Sequence, residues 1–182
     1  MKRTAWLLGA PAFAGILAPA PPAIAADYLS AEAAQRQFFP QAERFEELTL
    51  SLTPQQRQAI ATLAGAQPSH GRIQVWRAMR DGKPVGHVFV DEVIGRQDFI
   101  TYAVAIDSTG KLSPVEILTY RESHGGEVRN KAWRKQFAGR DSMAQLQFAR
   151  DIKNIAGATL SSEHVTQGVR WLLALWQTSL KQ

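Results

Sequence analysis

From residue 72 to residue 120 apolar and polar side chains alternate with a period of two, and this run limits what the chain can become more than any other feature. Side chains on a strand point to opposite faces in turn, so the pattern predicts strands over 72–80, 85–91, Phe99–Asp107 and 115–120. Asp81-Gly82 and Ser108-Thr109-Gly110 punctuate it as turns. Connections this short cannot make the long crossover that parallel strands need, so the strands must run antiparallel. Such a sheet has a face to cover. Residues 163–180 supply the cover, with Val165, Val169, Leu172, Leu173, Trp176 and Leu180 in one helical stripe and Gln167, Arg170 and Gln177 opposite. The expected fold class is α+β: an antiparallel β-meander packed against helices, with a C-terminal amphipathic helix on the sheet.

Ahead of the meander the signals are helical. Residues 30–39 suggest a short helix with Ser30 as N-cap and Pro40 as its stop. Thr53-Pro54-Gln55-Gln56 reads as a capping box with proline at the first helical position, opening a helix over Pro54–Ala64 that Gly65 closes. Residues 41–52 fit a helix end or a strand, since Phe45, Leu48, Leu50 and Leu52 satisfy both spacings. Behind the meander, 130–138 is expected to be helical with Trp133 and Phe137 one turn apart, and Asp141 is a candidate cap for a further helix carrying Met143, Leu146 and Phe148.

The extreme N-terminus has a different pattern: Lys2-Arg3, an apolar run, then Ala23-Ile24-Ala25 before Ala26-Asp27. This is the layout of a secretory signal peptide over residues 1–25, and Pro11, Pro19, Pro21 and Pro22 make the run a poor membrane-spanning helix. The expected division is a leader over 1–25, an N-terminal helical segment over 26–71 and the main domain over 72–182. The mature chain is expected to be exported, to a periplasm, with no transmembrane segment of its own. Of the net charge of +5, Lys2 and Arg3 supply two, and the remainder is too small to suggest nucleic acid. There is no cysteine, which excludes disulfides, iron–sulfur clusters, c-type haem attachment and thiol chemistry. The four histidines lack metal-ligand spacing, so any redox chemistry points to an organic cofactor.

Two segments carry candidate site residues. Ile155-Ala156-Gly157-Ala158-Thr159-Leu160-Ser161-Ser162 leads into the last helix, where unpaired backbone N–H groups and the positive end of the dipole favour an anion. Glu122-Ser123-His124-Gly125-Gly126-Glu127-Val128 directly follows the last strand, and its paired glycines allow a tight turn or a close approach of backbone to a flat ring. His124 is the one histidine within such a loop; His70, His87 and His164 lie elsewhere.

These segments resemble the FMN-binding domain family, whose members include the C subunit of the sodium-pumping NADH:quinone oxidoreductase and the G subunit of the related electron-transport complex. Gly157-Ala158-Thr159 followed by Leu160 and Ser161 is similar to the family's serine-glycine-alanine-threonine flavinylation signature. Glu122, Ser123, His124, Gly125 and Gly126 resemble its glutamate-threonine-proline-glycine loop, and residues 133–139 resemble the aromatic-glycine helix that follows. The chain departs from the pattern at Lys153, where the family has an acidic residue, and at Ala156, where it has serine. Lys153 can offset the charge of a phosphodiester.

The resemblance implies FMN held as a phosphoester on Thr159, attached by a separate FAD-dependent flavin transferase. Gly157, Ala158, Leu160, Ser161, Lys153 and the loop 122–126 would be the other cofactor contacts. It implies an electron carrier working with a membrane electron-transfer protein rather than an independent enzyme. No residue is expected to be catalytic and no metal is expected. The two departures motivate an alternative: a module of the same fold that binds FMN without a covalent bond, or that binds only proteins.

Overall fold

The computed structural model describes residues 26–66, 73–122 and 124–181. The expected leader over 1–25, His70 and Ser123 lie outside the described residues. Six strands form one antiparallel sheet: β1 (Ala26–Asp27), β2 (Arg44–Leu48), β3 (Gln74–Arg80), β4 (Lys83–Ile94), β5 (Phe99–Asp107) and β6 (Glu116–Tyr120), in the order β1-β6-β5-β4-β3-β2. From β2 to β6 each strand pairs with the next in sequence, so the middle of the chain is the expected meander, and the class is α+β. The segment before the meander contributes an edge strand on each side of the sheet.

Helix α1 (Ala31–Phe38) begins at Ser30, whose hydroxyl accepts from the Ala33 amide at 3.2 Å. Helix α2 (Pro54–Ala64) has the complete Thr53–Gln56 capping box and ends at Gly65 in the left-handed conformation. The 21-residue helix α4 (Thr159–Ser179) lies on the sheet beside α2. Its stripe of Val165, Val169, Leu172, Leu173 and Trp176 is buried with Phe89, Tyr102, Val104 and Ile106 from the strands and Ile60 from α2. On the opposite face α1 sets Ala34 against Val90, Ala103 and Leu118. Strand alternation thus feeds two cores, one on each face.

Within the larger core, the Tyr102 hydroxyl donates to Asp91 Oδ2 at 2.8 Å, both residues being buried. Burial, followed by the Asp91 charge, pushes the phenol well above its ordinary pKa. Helix α4 passes over this pair at Gly168, where a Cβ would stand 2.3 Å from Tyr102 Oη.

Several local expectations are corrected. Residues 44–48 resolve the ambiguous segment as a strand paired with β3. The final helix starts at Thr159, not near 163, so the first serines of the stretch are helical. The helix expected over 130–138 is one turn of α-helix, α3 (Lys131–Arg134), followed by a 3-10 turn at Lys135–Phe137. Trp133 and Phe137 still meet edge to face, 5.3 Å between centroids. After Asp141 there is only a 3-10 turn, Met143–Gln145. The reason is Arg140, whose guanidinium bonds the carbonyls of Gln136, Gln145 and Asp151 and holds the segment as a loop.

Candidate functional site

The start of α4 is an open helix end. Its N-cap is Ala158, which has no side chain to cap with, and no described residue accepts from the amides of Thr159, Leu160 or Ser161. Gly157, at φ +83°, makes the bend into it. Of the three hydroxyls in this turn only one has no hydrogen bond among the described residues. Ser162 is buried and donates to the Ala158 carbonyl at 2.9 Å, Ser161 is buried beside Tyr120, and Thr159 is exposed with no hydrogen bond to its hydroxyl from any described residue. Leu160 is also exposed.

The loop after β6 closes against this turn. The Tyr120 hydroxyl donates to the His124 carbonyl at 2.5 Å and stands 3.3 Å from Ser161 Oγ. Between them sits Gly125, at φ +86°; a Cβ there would lie 2.7 Å from Tyr120 Oη and 3.3 Å from the Ala158 Cβ. Only glycine serves at this position, for both dihedral and space. Partial burial raises the Tyr120 pKa above the ordinary phenol value.

Glu122 turns its carboxylate toward the bend between β4 and β5. Its Oε1 accepts from three consecutive amides, those of Arg96, Gln97 and Asp98, the last two at 2.6 and 3.0 Å. This fixes the bend beside the α4 start, so Arg96 and Gln97 line a cleft of about 590 Å³ together with Glu122, His124 and residues 157–161. A second cleft, of about 820 Å³, shares Glu122, His124 and Gly157 with the first and extends past Gly125 and Gly126 to Arg129 and Tyr28.

The structure therefore brings together Thr159, Gly157, Ala158, Leu160, Ser161, Glu122 and His124 around one cleft, with Gly125 and Gly126 at the next. Lys153 stands apart, in a third cleft with Trp133, Gln136 and Ile155. Its amide donates to Gln136 Oε1 at 3.0 Å and its carbonyl accepts from the Trp133 indole at 2.8 Å. Arg96, Gln97, Tyr28 and Arg129 were not expected from sequence; their approach depends on pairings that no local pattern records. Among the described residues no group of carboxylates and histidines could hold a metal ion, and no helix is long and apolar enough to cross a membrane.

Each of the two clefts, about 590 and 820 Å³, falls in the range of about 300–1,000 Å³ usual for small-molecule sites. Unpaired amides and Arg96 suit a phosphate at the α4 start, and the glycine-lined loop suits a flat ring, so the residues present fit a flavin mononucleotide. Residues 95–174, from the β4–β5 bend into α4, match the family model described as the FMN-binding domain. The match supports an FMN-binding flavoprotein. A search of curated proteins finds no match to the chain.

Proposed function

We infer that the protein is an exported electron-transfer flavoprotein that carries FMN as a phosphoester on Thr159 and relays electrons to or from a membrane redox partner. The observation that carries this reading is the Thr159 hydroxyl: exposed, free of hydrogen bonds among the described residues, and set beside three amides without partners at the mouth of the cleft. Export rests on the Lys2-Arg3 and Ala23-Ile24-Ala25 pattern. When bound, the flavin supplies the redox chemistry, and the chain supplies tether, surroundings and access.

No described base touches Thr159, so its activation falls to the transferase. In that reaction the threonine oxygen bonds the FMN phosphorus of FAD, the pyrophosphate link breaks, AMP leaves and the hydroxyl proton is released. The chain's own part is to present the hydroxyl and to hold the phosphate afterwards, through the amides of Thr159, Leu160 and Ser161, the α4 dipole and the Arg96 guanidinium. His124 lines both clefts, which supports its reading as a neighbour of the ring.

Lys153 and Ala156 favour a second reading, in which the same cleft binds FMN reversibly or the domain binds proteins alone. Co-expression with an FAD-dependent flavin transferase separates these. The ester reading expects an intact mass raised by FMN minus water and fluorescence that survives a denaturing gel. Colour lost on acid precipitation indicates reversible binding, and a colourless, folded product indicates the interaction module; either overturns the ester.

A further inference from the structure

We propose that Tyr28 and Arg129 belong to the flavin site, Arg129 as the cation that faces the reduced ring and Tyr28 as the residue that positions it. The inference deepens the flavin reading above and rests on it. Tyr28 lies outside the residues that match the family model, and its place at the cleft comes from the fold: its amide donates to the Leu118 carbonyl at 2.8 Å, which pins it along β6.

Arg129 closes the 3-10 turn Gly126–Arg129 and is held at three points. Its guanidinium carbon lies 4.8 Å from the centre of the Tyr28 ring, its Nη1 donates to Tyr28 Oη at 2.6 Å, and its Nε donates to the Gly126 carbonyl at 3.0 Å. Gly126 leaves room for this, since a Cβ there would stand 2.8 Å from Arg129 Nη2. A surface arginine so fixed has lost most of the freedom that makes such charges weak.

What the held charge faces is the second cleft. Arg129 is the only Lys or Arg among its described lining residues, against the carboxylates Glu122 and Glu127, and Glu122 is already engaged by the amides of residues 96–98. That cleft shares Glu122, His124 and Gly157 with the one at Thr159, and a Cβ at Gly157 would meet nothing within 4 Å. A ligand anchored at the α4 start thus has an open way past Gly157 to the Tyr28–Arg129 pair. A flavin ring that takes up two electrons and one proton becomes negatively charged, and a fixed cation beside it favours that form over the oxidised one.

The test uses the chain loaded with FMN, by co-expression with the transferase or with free FMN, and reduced by dithionite in equilibrium with a reference dye. At the dye potential that half-reduces wild type, Arg129→Gln lowers the ratio of reduced to oxidised flavin about tenfold, the scale of one charge-assisted hydrogen bond. Arg129→Lys keeps most of the wild-type ratio, and Tyr28→Phe shifts it less, in the same direction as Arg129→Gln. An unchanged ratio in Arg129→Gln, or an equal fall in Arg129→Lys, overturns the inference while the flavin reading stands. A wild-type chain that takes up no flavin by either route overturns both.

Discussion

The Tyr120 hydroxyl stands 3.3 Å from Ser161 Oγ, and through that approach the end of β6 meets the first turn of α4. The same hydroxyl donates to the His124 carbonyl, so one phenol sets the 122–126 loop and the helix start at a fixed separation. The cleft between them is therefore a property of the sheet. Loops positioned by a rigid scaffold are where binding residues concentrate.

Tyr120→Phe removes both contacts while keeping the ring. The expected loss of stability is about 1–2 kcal/mol, since a partly buried carbonyl and hydroxyl lose their partner. Reversible FMN affinity should fall with it. Because the folded phenol titrates above its ordinary value, its contribution is fully present below pH about 10 and is lost as pH rises through the folded pKa. Urea melts of wild type and variant across alkaline pH test this: the wild type has the steeper alkaline loss, and equal slopes count against it. Tyr102 acts with the same sign in both proteins.

Glu122→Ala leaves the amides of Arg96, Gln97 and Asp98 without their acceptor. Stability should drop by about 1–3 kcal/mol, as for loss of hydrogen bonds to a charged group. Hydrogen exchange at residues 96–98 should quicken, while exchange in α4 stays near the wild-type rate. Unchanged protection at the bend would show that the carboxylate does not hold it.

Gly168→Ala puts a methyl 2.3 Å from Tyr102 Oη and 3.0 Å from Val93 Cγ1, inside the core under α4. The gain in helix propensity of about 1 kcal/mol is outweighed by overpacking of about 1–3 kcal/mol, and the Tyr102–Asp91 bond must move. A lower melting temperature than wild type is expected; a higher one would mean that α4 lifts without strain.

His87 gives the chain an acid limb. It is buried, its Nδ1 accepts from the Trp176 indole at 3.2 Å, and burial, with the Arg77 charge second, lowers its pKa to about 4. The folded state prefers the neutral ring, so this contribution is whole above pH 6.5 and is lost as pH falls toward 4. In His87→Phe, thermal stability should decline less over that window than in wild type. NMR titration of the His87 ring in the folded protein should show a midpoint near 4.

The parts legible in the sequence are those decided by neighbours along the chain. The Thr53–Gln56 box, the bounds of β5, and the order of the meander follow from caps and alternation within ten residues. Thr159, Glu122 and His124 stand in motif-like stretches of the sequence, and the fold brings them to one cleft. Glu122 reaching back to residues 96–98, and Arg129 meeting Tyr28 across 101 positions, depend on sheet pairing that periodicity does not carry. The α4 start lies earlier than its apolar stripe, which begins only at Val165: Ser161 and Ser162 are buried within the helix, and the N-cap is an alanine.

That alanine matters for the last prediction. An uncapped helix end leaves three amides for an incoming anion, and of the hydroxyls beside it Ser161 is committed to Tyr120 and Ser162 to the Ala158 carbonyl. Thr159 alone of the three has no hydrogen bond to its hydroxyl among the described residues. Thr159→Ala should therefore abolish covalent flavin when the transferase is co-expressed, with stability within about 0.5 kcal/mol of wild type, as for other exposed substitutions. Ser162→Ala should keep the label and lose about 1 kcal/mol, because its hydroxyl bonds the helix end. In-gel fluorescence with peptide mapping reads both variants. Flavin retained on the Thr159→Ala chain after denaturation, or a label mapped to either serine, would place the ester elsewhere and remove the reason for the open helix end.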